Sequence, residues 1–390
     1  MEPSEFYRMH QPTEWCEPPQ IFSFSSLYEI LECPLRWQLL HSKWNIFDTY
    51  PIRPSVAALE GQIIHEVLEA LYSELASAGM PEPGSDEFIA CFRMFDIYSR
   101  LNDIQARIKK KYEGNLRCPT VKFRSGNLQL RNRVIQLFRQ NYQEICRGLK
   151  TVLPMGKSAT KMSFGSEPKG TSCETLKRKR VLSEFKISHG SLPLTGRFDL
   201  IWLEKDKIKF ADFKTGMAVS DHQRQIELYA LLIENKFQAS QIIGYTIYSD
   251  HLNEFVMQPD RLKEISKKIE KEISSALNSL QSKPAPAKLN ENCKYCQVKQ
   301  YCDLYWETFC PEGKNEFGGF CEIEGKVIEK CGDYGFLLQT NSSGNFNLVF
   351  EKEIGRTMRI AENQKLRIIK ALKRKSEIEF TAQSEIFLFF

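Results

Sequence analysis

Apolar side chains recur at helical spacing through the first part of the chain and alternate with polar ones through the last. Over residues 55–79, Leu59, Ile63, Val67, Leu71 and Leu75 fall four apart, the mark of an amphipathic helix. The Pro/Gly cluster at 81–84 ends it. Upstream, residues 21–46 predict a helical segment with apolar Leu27, Ile30 and Leu31 and with Ser25 or Ser26 as its cap. Pro34 breaks that helix and starts a second. Residues 86–150 predict basic helices, and 154–176, rich in Gly, Ser and Lys, predicts a loop. Strand character begins near Val181 and is clearest from Leu194 to Lys214. Helices follow from about Asp221, where Ser220-x-x-Gln223 fits a capping box, and over about 259–282. Lys283-Pro284-Ala285-Pro286 is a linker. From about Phe317, five alternating runs (321–328, 335–340, 346–352, 365–372 and 377–382) predict an all-β tail compatible with an OB-like barrel.

A length of 390 residues exceeds one average domain, and 42% hydrophobic with 26% charged residues is ordinary for a soluble globular protein. No apolar run reaches the ~18 residues of a membrane span. The N-terminus lacks the basic-then-apolar order of a signal peptide, so a cytoplasmic location is expected. The net charge of +5 hides an asymmetry: residues 101–180 hold 19 Lys+Arg against 5 Asp+Glu, an excess of +14 that leaves −9 elsewhere. Such a stretch is the footprint of a polyanion partner or else a solvated helical face. Phe123, Phe138 and Tyr142, interleaved with it, serve nucleic acid in the first case and core in the second. There is no internal repeat and no Walker A loop, so the chain carries no recognisable motor.

The segment LTGRFDLIWLEKDKIKFADFKTG, residues 194–216, has two alternating runs flanking Glu204-Lys205-Asp206-Lys207, as in a β-hairpin. With a tight turn at Lys205-Asp206, paired residues have numbers adding to 411, which sets Asp199 opposite Asp212 and Lys214 on the face of Asp212. Facing carboxylates repel, and a divalent cation compensates them. Oxygen ligands suit Mg²⁺ or Mn²⁺, and a neighbouring lysine activates water or stabilises charge on a phosphate. The bland alternative is a hairpin whose aspartates face solvent.

Twelve cysteines, unevenly placed, argue for metal or cluster ligation rather than a disulfide framework. Cys91, Cys146 and Cys331 stand alone and are expected to be buried small hydrophobes. Cys293, Cys296 and Cys302 form C-x2-C-x5-C, which needs a fourth ligand. Cys310 would complete a compact zinc module, whereas Cys33 would join the N-terminal segment to the far end of the core.

GRFDLI followed by ADFKTG resembles motifs II and III of the RecB-like branch of the PD-(D/E)XK nucleases. That resemblance implies an α/β restriction-endonuclease-like core, with Asp199 and Asp212 as metal ligands and Lys214 as the catalytic lysine. His65, in GQIIHEVLEAL, is similar to the family's helical metal-binding histidine, with Gly61 one turn earlier leaving space beside it. Gln225 and Tyr229, in QIELYA, resemble the motif that follows D-x-K and share a helix face. SFSSLYEILECP (23–34) resembles the family's N-terminal segment, and Glu184 resembles an acidic position upstream of the hairpin. AddB-type and CRISPR-associated relatives ligate a 4Fe–4S cluster with one cysteine before the motifs and three after. This implies Cys33, Cys293, Cys296 and Cys302 as its ligands, with zinc as the alternative.

The resemblance covers motifs at both ends of a core over residues 1–310. It covers neither the basic helical insertion at about 80–180 nor the OB-like β domain at 317–390. It implies a Mg²⁺- or Mn²⁺-dependent DNA exonuclease, acting on single-stranded ends in recombination, repair or CRISPR adaptation. A separate helicase or CRISPR adaptation proteins would then be its partners. The alternatives are a non-catalytic Fe–S scaffolding subunit of a helicase–nuclease complex, and a zinc-stapled RNA binder.

Overall fold

The structure is a computed structural model and describes residues 7–45, 47–118, 120–150, 181–216, 220–237, 239–309, 320–332, 335–340, 344–350, 360–374, 377–380 and 384–389. The 154–176 loop and Cys310 lie outside these residues. The elements in chain order begin with helices α1 (Phe24–Glu32), α2 (Pro34–His41), α3 (Val56–Ser77), α4 (Asp86–Met94), α5 (Ile97–Lys111) and α6 (Asn127–Lys150). Strands β1 (Val181–Ser188), β2 (Thr195–Glu204) and β3 (Lys207–Phe213) come next, followed by α7 (Ser220–Lys236). Then come β4 (Gln241–Ile247), β5 (Leu252–Met257), α8 (Pro259–Ser279) and α9 (Asp303–Phe309). The tail holds β6 (Phe320–Cys331), β7 (Gly335–Thr340), β8 (Gly344–Phe350), β9 (Lys365–Arg374), β10 (Glu377–Phe380) and β11 (Glu385–Leu388). The chain divides into two compact units.

One unit comprises Pro19–Leu27 and Pro54–Ser274. Its sheet runs β1-β2-β3-β4-β5, antiparallel except between β3 and β4. That parallel pair needs a crossover, which α7 supplies. Strand β3 is buried along nearly its whole length because helices cover both its faces. The stripe Leu59, Ile63, Leu68 and Leu71 of α3 packs with Leu101, Leu130 and Leu137 of the following helices, and with Leu200, Trp202 and Phe213 of the sheet. On the other face, Gly244 admits α7: a Cβ there would stand 2.6 Å from the Phe210 ring and would also strike Ile226. Helix α1 is capped by Ser23 rather than by Ser25 or Ser26 alone. Ser23 Oγ accepts from the Ser26 N–H at 3.1 Å, and Ser26 Oγ accepts from the Ser23 N–H at 2.8 Å.

The hairpin register is the expected one, from Glu204–Lys207 to Leu200–Ala211. There the ladder stops, one pair short of Asp199 and Asp212. Leu200 packs under α3, yet Phe198 packs on Tyr229 of α7 with ring centroids 4.5 Å apart. Residues two apart on a regular strand share a face, so β2 turns over at Asp199. Strand β1 is irregular at the matching place: Ser183 pairs with Leu200 and Phe185 with Phe198, while Glu184 between them has φ +52°. A bulky residue in that region marks a local constraint.

The other unit comprises Met1–Pro18, Tyr28–Arg53 and Ser275–Phe390. Its strands close a five-strand ring, β6-β7-β8-β10-β9, in which only β8 and β10 are parallel. This ring is compatible with the expected barrel. A sixth strand, β11, pairs with β9 and lies beyond the five expected runs. Arg367 of β9, 2% exposed, bonds to the Gln300 carbonyl (2.5 Å), Asp303 (2.7 Å) and Glu324 (2.8 Å), which ties the barrel to the cysteine segment. Gln38 of α2 accepts from the Ala285 N–H at 2.7 Å and donates to the Ser282 carbonyl at 3.2 Å, clasping the linker.

Three smaller expectations change. Phe138 and Tyr142 are core residues, 3% and 2% exposed, and Phe123 packs against the same core, so the nucleic-acid reading of these rings does not hold. Cys146 is buried as expected and Cys91 partly so, but Cys331 is exposed, at the end of β6. Among the described residues no helix is long and apolar enough to cross a membrane.

Candidate active site

Four elements bring the singled-out polar residues together. Helix α3 supplies His65, β2 supplies Asp199, β3 supplies Asp212 with Lys214 just beyond it, and α7 supplies Gln225 and Tyr229. His65 Nδ1 lies 3.3 Å from Asp199 Oδ2, and the same oxygen accepts from the Phe213 N–H at 2.7 Å. The aspartates therefore do not face each other across a continuing ladder. Asp199 instead bonds the backbone beside Asp212, where the ladder has ended. Lys214 Nζ lies 2.5 Å from Asp212 Oδ2 and donates to Gln225 Oε1 at 2.8 Å. Gln225 Nε2 donates to Asp212 Oδ1 at 2.9 Å and to the Tyr229 oxygen at 3.0 Å, and the Tyr229 hydroxyl donates to the Arg197 carbonyl at 2.9 Å. Residues 225 and 229 sit one turn apart on α7, which is why one helix can brace both the lysine and the strand.

Sequence reasoning missed the support behind this set. Glu60 is 5% exposed and accepts from the backbone of Arg124 (2.9 Å) and Ser125 (2.6 Å), from the Ser125 hydroxyl (3.0 Å) and from Arg133 Nη1 (3.3 Å). Arg133 Nη2 donates to the Thr215 carbonyl at 3.0 Å, immediately after Lys214. Gly61 is needed for that turn: a Cβ there would stand 2.9 Å from Thr215 Oγ1. The space it leaves is thus filled by Thr215. In the sequence Glu60 looks like a polar position on an amphipathic helix and Arg133 like one more cation in a basic run. Only the fold sets them together. Glu184 was legible only as a faint resemblance, yet it stands beside Asp199, paired with Arg197.

Electrostatically the corner is crowded with acid. Burial, then the charge of Asp199, pushes Asp212 up to about 6 against the opposing pull of Lys214. Burial, with Asp199 and Glu69 adding to it, lifts Glu184 to about 7 although Arg197 opposes the shift. For His65, burial pulls the pKa down, but the Asp199 contact and the Asp212 charge outweigh it and the net direction is up. Asp212 Oδ2 is buried, with the Lys214 ammonium against it. Buried carboxylates this close to one another favour a cation nearby. The two carboxylates are the oxygen donors that Mg²⁺ and Mn²⁺ take, and the imidazole adds a borderline nitrogen donor.

The cysteines lie in the other unit, and Cys33, Cys293, Cys296 and Cys302 line one cavity with Leu35, Leu39 and Val298. Burial, then the nearby Cys33, pushes Cys296 up to about 12. Cys302 is raised by burial, with Cys33 and Cys293 adding to it. Four thiols lining one space are of the ligand type that clusters and zinc take. The cavity itself is narrow, about 20 Å³. Among the described residues no group of three or more His, Cys, Asp or Glu side chains already stands as a metal-binding set.

Carboxylates, an imidazole and a lysine gathered where two sheet strands end are the equipment of a metal-dependent hydrolase. The chain belongs to the PD-(D/E)XK nuclease superfamily, whose family model matches residues 21–303, more than half its length. That superfamily is one of nucleases. Among solved structures, the crystal structure of SSO0001 is similar over 33% of this chain and 63% of that one, at 24% identity and a TM-score of 0.21. The chain thus spans less than two thirds of that protein, and a likeness that slight carries no argument. No curated protein matches.

The acid corner sets a pH dependence for the metal-free protein. Glu184 loses its proton near 4.5 in the unfolded chain and near 7 in the folded one. Stability therefore falls as pH rises through that window, and the raised His65 adds a loss in the same direction. In EDTA, Glu184→Gln should gain thermal stability over the wild type as pH rises from about 4.5 to 7. A difference between the two that stays constant with pH would contradict this account of the site.

Proposed function

We propose that this chain is a Mg²⁺- or Mn²⁺-dependent exonuclease acting on single-stranded DNA ends in recombination, repair or CRISPR adaptation. The observation that carries the reading is the convergence of His65, Asp199, Asp212 and Lys214 in one corner, with Asp212 buried and raised beside Asp199. His65, Asp199 and Asp212 would hold the divalent cation, which would supply charge to polarise a phosphoryl oxygen and lower the pKa of an attacking water. Lys214, held by Asp212 and Gln225, orients the water and meets the charge that builds on the phosphate. Gln225 keeps the lysine and Asp212 in register, and Tyr229 anchors Gln225 to the β2 backbone. The ring of Tyr229 is buried on Phe198, and its hydroxyl, raised by burial and then by Asp212, stays protonated and donates.

The nuclease domain is taken as residues 1–310 and the tail, 317–390, as an OB-like barrel. The five-strand ring with one parallel pair supports that reading of the tail. Cys33, Cys293, Cys296 and Cys302 hold a 4Fe–4S cluster that staples the N-terminal helices to the end of the core. Their place around one cavity supports this assignment. The staple would be structural: it closes a long loop, whose unfolded-state entropy it removes.

Two tests follow. Lys214→Ala should lower Mn²⁺-dependent degradation of linear single-stranded DNA by about 10²-fold or more while leaving Mn²⁺ binding in place. Circular single strands should resist the wild type, and their cleavage at the linear rate would make the enzyme an endonuclease. Anaerobically purified protein should contain about four irons per chain and absorb in the visible. Cys33→Ala should lose both along with much of its thermal stability. Full iron in the variant would remove Cys33 from the ligand set, and zinc in the wild type would replace the cluster.

A further inference from the structure

Helices α4 and α6 leave an open groove of about 750 Å³ between them, outside the acid corner. Its wall is aromatic. Phe88 and Phe92, one turn apart on α4, are partly exposed and rest on the buried Phe138 and Tyr142 of α6, with ring centroids 4.7 to 5.3 Å apart (Phe88–Phe92 4.7 Å, Phe92–Phe138 5.2 Å, Phe88–Tyr142 5.3 Å). Its rim is cationic and amide-rich: Arg131, Gln136 and Arg139 line it, and no carboxylate does. Among the described residues neither arginine forms an ion pair, and Arg131 instead lies over the Tyr98 ring at 5.8 Å. The lining residues of α6 run from Arg131 to Gln143, about 18 Å at the rise of an α-helix.

From this arrangement we propose that the α4–α6 groove is a second nucleic-acid site, which holds a few nucleotides of single-stranded DNA away from the scissile bond. The chemistry divides by part. Phe88 and Phe92 offer partly exposed aromatic rings, on which bases of any sequence can stack. Arg131 and Arg139 neutralise phosphates, which they can do without giving up a protein carboxylate. Gln136 and the neighbouring amides offer paired donors and acceptors to base edges. The volume lies within the roughly 300–1,000 Å³ of small-ligand sites. An acidic helix of a partner protein is the competing occupant. It is disfavoured because the partly exposed aromatics share the lining with Arg131 and Arg139, a combination that suits stacked bases carrying phosphates. The groove also places the charge asymmetry of the sequence: part of the basic excess of 101–180 lies on α6 and faces open space rather than acid.

The proposal rests on the nuclease reading above for its choice of DNA, and its test separates the two. Binding of a fluorescein-labelled oligo(dT) 20-mer to the full chain is measured by anisotropy in EDTA, where no cleavage occurs. Hydrolysis of bis(p-nitrophenyl) phosphate with Mn²⁺ is followed alongside. Arg139→Glu, at an exposed position, and Phe92→Ala should each weaken DNA binding by about 5-fold or more. Both should leave hydrolysis of the small ester unchanged. A 5-bromouracil version of the oligonucleotide should photocrosslink to peptides from residues 86–94 or 131–143. Unchanged affinity in both variants with no crosslink there would overturn the groove assignment, leave the nuclease reading standing, and give the groove to a protein segment. Absence of both DNA binding and ester hydrolysis in the wild type would overturn the nuclease reading and this site with it.

Discussion

Several acids share one partly buried corner, and the molecule around them is arranged to bear that. Glu184, Asp199 and Asp212 come from three neighbouring strands, and burial together with mutual repulsion raises the first and the last. Nothing in a protein makes such a group favourable by itself, because charged oxygens lose water on burial and repel one another. The compensation here is specific. Lys214 sits on Asp212, the Phe213 N–H and His65 sit on Asp199, and Arg197 sits on Glu184. Even so, Asp212 and Glu184 stay raised, and that uncompensated acid is the chemical opening for a cation.

Holding these groups constrains the backbone. The β2–β3 ladder ends one pair before the aspartates, β2 turns over at Asp199, and Glu184 takes a positive φ beside it. Local strain of this kind persists where surrounding structure overdetermines it. The surroundings here are α3, α6 and α7. Glu60 and Arg133 fix the turn after Lys214 from one side, and Gln225 with Tyr229 fix the lysine and the strand from the other. Gly61 allows α3 to approach that turn, so His65, four residues later, arrives beside Asp199. Polar groups carried on a sheet and braced by helices in this way are held to the tolerances that chemistry would need.

Much of this was legible where a period or a fixed spacing governs. The α3 stripe, the hairpin register and the five tail runs follow from helical and strand alternation, and the D-x-K lysine follows from its motif. Alternation failed where the strand itself departs from it. A regular ladder extrapolated to Asp199 and Asp212, whereas side-chain bonding to the Phe213 N–H replaces the next rung. Glu60 and Arg133 were invisible because their partners lie 64 to 82 residues away, and no local pattern encodes such a meeting. Strand β11 was missed because its four residues, Glu385–Leu388, are buried throughout and show no alternation. Cys331 was misjudged because a lone cysteine carries no sign of exposure.

The central claim is that the acid corner binds a divalent cation and uses it to hydrolyse DNA. The most direct measurement places wild type and Asp212→Asn side by side, titrating Mn²⁺ calorimetrically and then following end-labelled single-stranded DNA. The account predicts that the wild type binds Mn²⁺ and degrades the strand, while the variant, nearly isosteric, loses both. A variant that still binds the ion and degrades DNA at the wild-type rate would contradict it.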